Sequence, residues 1–430
     1  MADLRDELVQ RYTGIPDVHR VGLAVEQCAE RVGRFGYVSK QLMLVQAGKM
    51  TAVANWDFKA AVGRQLWESA LHWGIWRERI GELRGHEHLI ERHAEGPLYD
   101  LFQELLYSQD DAEFAVGLYD VILPAYRDAL ARYRAETNPL VDQPTVRAAG
   151  HVLLDLDDHL AFGQSVLDAL LPADAPELVA WRQHLAQYLE AAGGIDGTGK
   201  VRPTFELPAP RSQGDFRIEP SFARDKRFQT TLPKANPYNE EETWEHLLSK
   251  MWVRSQEMTA AELCATVIFE WEDLPYEGYV DLARHCWDET RHSLFGQAAL
   301  EAEGIPLESL PSWVGYAKHT LPVPPQKRYS HLAIATEAGL MAYPGGKRGE
   351  WEWCKDRARH PLMTTYQDFD WADEVTHVAY GREWLIRYFC KGDRARAQAM
   401  ADETVAERKA YYEQFIQPDQ KIAIDTTTSE

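Results

Sequence analysis

The chain is poor in the features that staple or anchor a protein. Its 430 residues hold five cysteines, Cys28, Cys264, Cys286, Cys354 and Cys390. An odd number with no CxxC spacing excludes a disulfide framework and a zinc ribbon, and reduced thiols are the expectation. No stretch approaches the roughly 18 consecutive apolar residues of a spanning helix. The start, Met-Ala-Asp-Leu-Arg-Asp-Glu, has no apolar core of a secretion signal. A cytoplasmic protein without a membrane partner is expected. Positive charge is also scarce: 46 Lys and Arg against 67 Asp and Glu give a net charge of -21. Such a surface repels a polyanion, which argues against nucleic acid as a partner.

What is present is a globular mix, 45% hydrophobic and 26% charged, in a chain long enough for two or three domains. Val18 to Met50, Asp57 to Arg84, Ala112 to Ala135 and Thr145 to Leu171 carry apolar residues at three-and-four spacing with few breakers. The texture returns from Thr243 to Phe389, and no convincing period-two alternation interrupts it. That pattern predicts an all-α protein built from helices long enough for bundles. Residues 193–238 are rich in Pro, Gly and basic side chains. They predict a linker, either laid across a helical surface or solvated as a tether. It separates a helical domain at 1–192 from another at 239–430.

The two domains share an internal repeat. Trp67-Glu68-Ser69-Ala70-Leu71-His72 aligns with Trp287-Asp288-Glu289-Thr290-Arg291-His292, and His159-Leu160-Ala161-Phe162-Gly163 with His377-Val378-Ala379-Tyr380-Gly381. In the first copy 87 residues separate the two histidines, and in the second 85. Two copies of one four-helix unit are expected.

Glu289-x-x-His292 and Glu374-x-x-His377 each place a carboxylate and an imidazole on one helix face. Either motif alone is weak, since a solvated Glu beside a partly buried His is the commoner arrangement. Their shared context strengthens them: each is preceded by Asp (Asp288, Asp373), has a nearby Trp, and lies in matching positions of the half-repeat. Each also has an upstream Glu. Glu262 precedes Glu289 across the turn Leu274-Pro275, and Glu337 precedes Glu374 across Pro344-Gly345-Gly346. Four carboxylates and two histidines aimed into one core are too costly to bury unless they bind metal.

These residues resemble the ferritin-like superfamily of carboxylate-bridged di-iron or di-manganese proteins, whose pattern is Glu, Glu-x-x-His, Glu, Glu-x-x-His. The resemblance spans Thr243 to Lys391 and fills all six ligand positions. It implies two fused ferritin-like four-helix bundles and a centre of two Fe ions, with Mn as the other candidate. Glu289 and Glu374 would bridge, Glu262 and Glu337 would be terminal ligands, and His292 and His377 would each serve one ion. The implied function is an oxidase or oxygenase that uses O2, with an electron donor, to oxidise a small organic substrate. The rivals are a non-catalytic iron-binding or storage protein and a metal-free helical interaction protein. The first copy departs from the pattern, with Ser69 and Leu156 at the two Glu positions, and reads as a degenerate, metal-free partner; a second site using Glu68 and Asp155 is the alternative.

His285 is read either as a third nitrogen ligand or as a histidine packed beside the site. Asp288, Asp370 and Asp373 either orient the histidines or lie solvated on a helix. Gly194 to Lys200 spells GxxxxGK, but Val201 stands where a Mg²⁺-binding hydroxyl belongs and a helix precedes it, which excludes a phosphate loop. His86, His88 and His93 read as a solvated helix end rather than a metal tract.

Overall fold

The computed structural model of the chain describes residues 11–172, 174–200, 206–341 and 344–415. These residues are mostly helical, as the periodicity predicts. They divide into two compact units: Met1–Val45 with Glu68–Phe216, and Gln46–Trp67 with Arg217–Glu430. The boundary falls inside the expected linker, and one segment departs from the sequence expectation: the hairpin tip at Gln46–Trp67 clusters with the second unit.

The first unit is built on α1 (Val25–Lys49), α2 (Trp56–Glu82), α3 (Pro97–Leu106), α4 (Leu123–Glu136), α5 (Gln143–Leu170) and α6 (Pro176–Ala191). Asp110 caps the rod that leads into α4 by accepting from the Glu113 amide, and a π turn at Val116–Ile122 joins the two. Aromatic side chains fill the centre. Phe35 on α1 lies 5.5 Å from Trp76 on α2 and 6.0 Å from Tyr126 on α4, ring to ring. The one buried polar edge among them is satisfied: Trp76 Nε1 donates to the Tyr126 hydroxyl at 2.7 Å, and Ser39 Oγ lies 2.9 Å from the same hydroxyl.

The second unit contains α7 (Thr243–Ser255), α8 (Met258–Glu270), α9 (Tyr276–Ala302), α10 (Pro325–Ser330), α11 (Gly346–Glu352), α12 (Pro361–Tyr380) and α13 (Arg394–Glu413). Three π turns extend them: His331–Glu337 after α10, Trp353–Ala358 after α11 and Gly381–Phe389 after α12. Helix α9 packs against α7, α8 and α12 and is the spine of this unit. A strand pair absent from the sequence expectation, β1 (Gln229–Thr231) and β2 (Pro311–Trp313), runs parallel with Gln229 opposite Pro311.

Glycine decides one approach that matters for the site. A Cβ on Gly296 of α9 would sit 2.5 Å from the Met251 carbonyl and closer still to the Ser255 amide. With no Cβ there, the elbow between α7 and α8 comes down onto α9, where Ser293 Oγ donates to the Ser255 carbonyl at 2.7 Å. Glu257 lies in that elbow.

The expected linker is held to helical surface in both units. In the first, Glu104 accepts from the amides of Arg211 (2.7 Å) and Ser212 (2.8 Å), while Arg211 lies 4.0 Å over the Trp181 ring. In the second, Phe222 and the Arg224 side chain are buried. All five cysteines are free and buried. Among the described residues, no helix is long and apolar enough to cross a membrane.

Candidate metal centre

Helix α9 inverts the usual pattern of an amphipathic helix. His285, Asp288, Glu289 and His292 fall at i, i+3, i+4 and i+7, so they form one stripe, and all four are buried. Opposite them α12 buries Asp370, Glu374 and His377 at the same spacing. The π turn at His331–Glu337 delivers Glu337, the kind of local unwinding found at functional sites. The α7–α8 elbow delivers Glu257.

The donor atoms form three overlapping groups within 4.8 Å: His285, Glu289, Glu337 and His377; Glu257, Glu289 and His292; and His292, Asp370 and Glu374. In the first, His285 Nε2 lies 2.8 Å from Glu337 Oε1 and 3.7 Å from Glu289 Oε1. There His377 Nδ1 is 3.5 Å from Glu289 Oε1 and 3.9 Å from Glu337 Oε1. In the others, His292 Nδ1 is 3.8 Å from Glu289 Oε1, 3.7 Å from Glu257 Oε2 and 3.4 Å from Asp370 Oδ1. Glu289 and His292 each belong to two groups. The rings of His285 and His377 stack at 3.8 Å.

Which atoms are satisfied is informative. The outer nitrogens of the histidines have carboxylate or phenol partners: His292 Nε2 is 3.2 Å from Asp373 Oδ2, His377 Nε2 is 3.3 Å from Asp288 Oδ2, and His285 Nδ1 is 3.1 Å from the Tyr329 hydroxyl. Arg284 and Arg291 in turn hold Asp288 and Asp373. The inward atoms are left over. His292 Nδ1, His377 Nδ1, Glu257 Oε2, Glu337 Oε2 and Glu374 Oε2 are buried with no hydrogen-bond partner. A buried polar atom without a partner costs about 1–3 kcal/mol, and five converge here. Imidazoles braced from behind and carboxylates close by form a donor set that could hold a metal ion.

Charge is strained in the same way. Burial lowers the basicity of His285, but Glu337 and Glu289 outweigh it and raise it to about 10. Burial likewise opposes Asp370, Asp373 and Glu289 at His292, which rises to about 9. His377 is pushed down by burial and by His285. Burial lifts Glu257 to about 8 against the pull of Arg254 and Lys347. Glu289 and Glu337 thus lean on neighbouring histidines for their counter-charge, a neutralisation that a divalent cation would replace.

Of the six ligands expected from sequence, Glu289, His292, Glu337, Glu374 and His377 come together. Glu262 does not. Its carboxylate accepts from Arg224 Nη1 (2.7 Å) and Nη2 (2.9 Å) and from Lys59 Nζ, all fully buried. Glu257, five residues earlier at the head of α8, faces the cluster instead. The midpoint turn at Leu274-Pro275 correctly pairs α8 with α9 but leaves the register open by more than one helical turn. His285 stands in the first group, and Asp370 in the third. Asp288 and Asp373 lie behind the histidines. Arg254 and Lys347, bonded to Asp370 at 2.8 and 2.9 Å, carried no signal in the sequence.

In the first unit His72 Nε2 is 2.8 Å from Asp155 Oδ2 and His159 Nε2 is 2.5 Å from Glu68 Oε2, with Ser69 and Leu156 buried beside them. Among the described residues, no set of three metal-binding side chains occurs in that unit. Compared with protein-family models, curated proteins and solved structures, the chain matches none, so the geometry carries the functional reading by itself.

Proposed function

We propose that this chain is an O2-dependent oxidase or oxygenase of a small organic substrate, with two iron ions, or two manganese ions, held in the second unit. His285, Glu289, Glu337 and His377 would hold one ion, and His292, Asp370 and Glu374 with Glu257 the other. In this reading the units are two copies of a ferritin-like four-helix bundle, and the first has lost its centre. The reading is carried by five buried donor atoms of one cluster that lack a hydrogen-bond partner although each of their side chains is paired through its other atom. Buried polar atoms of a purely structural network are ordinarily hydrogen-bonded.

When bound, the ions supply the electrons and Lewis acidity that turn O2 into an oxidant, with an external donor restoring them. The protein's residues do the rest. Asp373 and Asp288 fix the rings of His292 and His377 so that each Nδ1 faces inward, and Tyr329 does the same for His285 through its Nδ1. Cys264 and Cys286, both fully buried and within electrostatic reach of Glu289, help wall the centre from water. Metal analysis of protein purified from its own host, followed by anaerobic Fe(II) loading and O2 exposure, tests the reading. Two ions per chain and substrate-dependent O2 consumption are expected. Failure to retain metal would discard the centre, and retained iron without O2 consumption would leave a storage role.

A further inference from the structure

The two subsites are not equivalent, because Lys347 and Arg254 pair with the carboxylates of only one of them. Lys347 opens α11 after the Pro344-Gly345-Gly346 break and is 1% exposed. Its Nζ lies 2.9 and 3.0 Å from the two oxygens of Asp370 and 2.7 Å from Glu374 Oε1. These carboxylates are two of the three side chains in the group completed by His292. Around His285, Glu289, Glu337 and His377 the position is different. Among the described residues, no Lys or Arg lies within ion-pair distance of Glu289 or Glu337, whose close partners are histidines, and Lys347 acts on Glu337 only at longer range.

We propose that Lys347 is a resident cation of the second subsite, so that the centre fills in two unequal steps. The proposal rests on the di-metal reading above. The first ion enters at His285, Glu289, Glu337 and His377, where no ammonium or guanidinium stands within ion-pair distance of the carboxylates. The second enters at His292, Asp370 and Glu374 only by driving the Lys347 ammonium off the oxygens it needs, because a protonated amine offers no lone pair and repels a divalent ion at this range. Lys347 rather than Arg254 is the group that moves. Arg254 is fixed as a planar fork by Glu257 (2.6 Å), Asp370 (2.8 Å) and Glu350 (3.5 Å). The lysine is a point charge on a flexible stem, with its third carboxylate, Glu257, at 3.9 Å.

Calorimetric titration of the chelator-stripped full chain with Mn(II) tests this, with free Mn(II) followed by its paramagnetic resonance. The wild type should bind one ion tightly and a second at least about tenfold more weakly. Lys347→Met, which keeps the length and removes the charge, should tighten the second step by at least about tenfold and leave the first unchanged. Lys347→Arg, which keeps the charge, should preserve the two unequal steps. Two equal steps in the wild type would overturn the proposal whether or not the methionine variant folds, as would an unchanged second step in that variant. Binding of no Mn(II) at all would instead remove the di-metal reading, and the proposal with it.

Discussion

Asp288 Oδ2 on α9 lies 3.3 Å from Nε2 of His377 on α12. The reverse brace runs from Asp373 on α12 to His292 on α9, at 3.2 Å. The first unit repeats both at the aligned positions, His159 with Glu68 and His72 with Asp155. The aligned segments thus share the outer partners of the histidines, and Ser69 and Leu156 stand where the second unit has Glu289 and Glu374. A crossed pair of imidazole and carboxylate links holds two helices together with or without an ion between them, which gives the first unit a structural reason to retain its histidines.

The braces predict a contrast between the units. Asp373→Asn should weaken Mn(II) binding by about 10- to 100-fold, because the ring of His292 loses the acceptor that orients it. Asp155→Asn should leave Mn(II) binding unchanged. Calorimetry on both variants decides, and loss of metal in the Asp155 variant would place a working site in the first unit.

Glu262 and Glu257 provide a second contrast. Glu262→Gln removes the carboxylate charge that the buried Arg224 and Lys59 share and should cost about 3–5 kcal/mol of stability, while the folded fraction keeps its metal. Glu257→Gln should lower metal affinity, since its carboxylate faces His292 Nδ1 at 3.7 Å. Urea unfolding and metal analysis of each variant check the pair; metal loss in the Glu262 variant at full folding would restore it as a ligand.

Helical periodicity made the all-α class legible, and the two Glu-x-x-His pairs made four of the cluster's side chains legible, with Glu337 read from its place upstream and His285 and Asp370 named as alternatives. Glu289 and His292, or Glu374 and His377, share a helix face by arithmetic alone. Glu257 and Lys347 depended on contacts that periodicity does not encode. Glu257 reaches the site because Gly296 lets a helical elbow descend onto α9, and Lys347 reaches it from a break that reads only as a turn. Glu262 misled because a carboxylate on a buried face satisfies the same pattern whether a metal or Arg224 is its partner. Placement of Gln46–Trp67 in the second unit was likewise invisible, since α1 and α2 run unbroken in pattern through the change of unit.

His331 offers a pH test away from the cluster. It is buried, its Nδ1 lies 3.0 Å from Thr404 Oγ1, and its Nε2 has no partner. Burial, then Arg408 and His319, push it down to about 3. Above about pH 6.5 the folded and unfolded chains both carry it neutral, and it has no effect on stability. As pH falls from there toward 3, the unfolded chain takes a proton that the folded chain refuses, so stability is lost. Between pH 7 and 5 the loss reaches about 2 kcal/mol. His331→Gln should show a smaller fall over this interval in urea titrations, and an equal fall would clear His331 of the effect.

The last prediction separates the histidines by the ion each one serves. His285 touches the group with Glu289, Glu337 and His377, whereas His292 touches both groups that contain Glu257 or Asp370. His285→Ala should therefore abolish the tight Mn(II) step, and His292→Ala should keep about one tight ion per chain while losing the weak step. Glu289→Ala should lose both, because its Oε1 lies between the two sets at 3.5 Å from His377 Nδ1 and 3.8 Å from His292 Nδ1. Stoichiometry and step affinities from one titration series distinguish the three variants. Unchanged binding in His285→Ala would return that residue to a packing role beside the site, and full occupancy in Glu289→Ala would remove the bridge on which a two-ion centre depends.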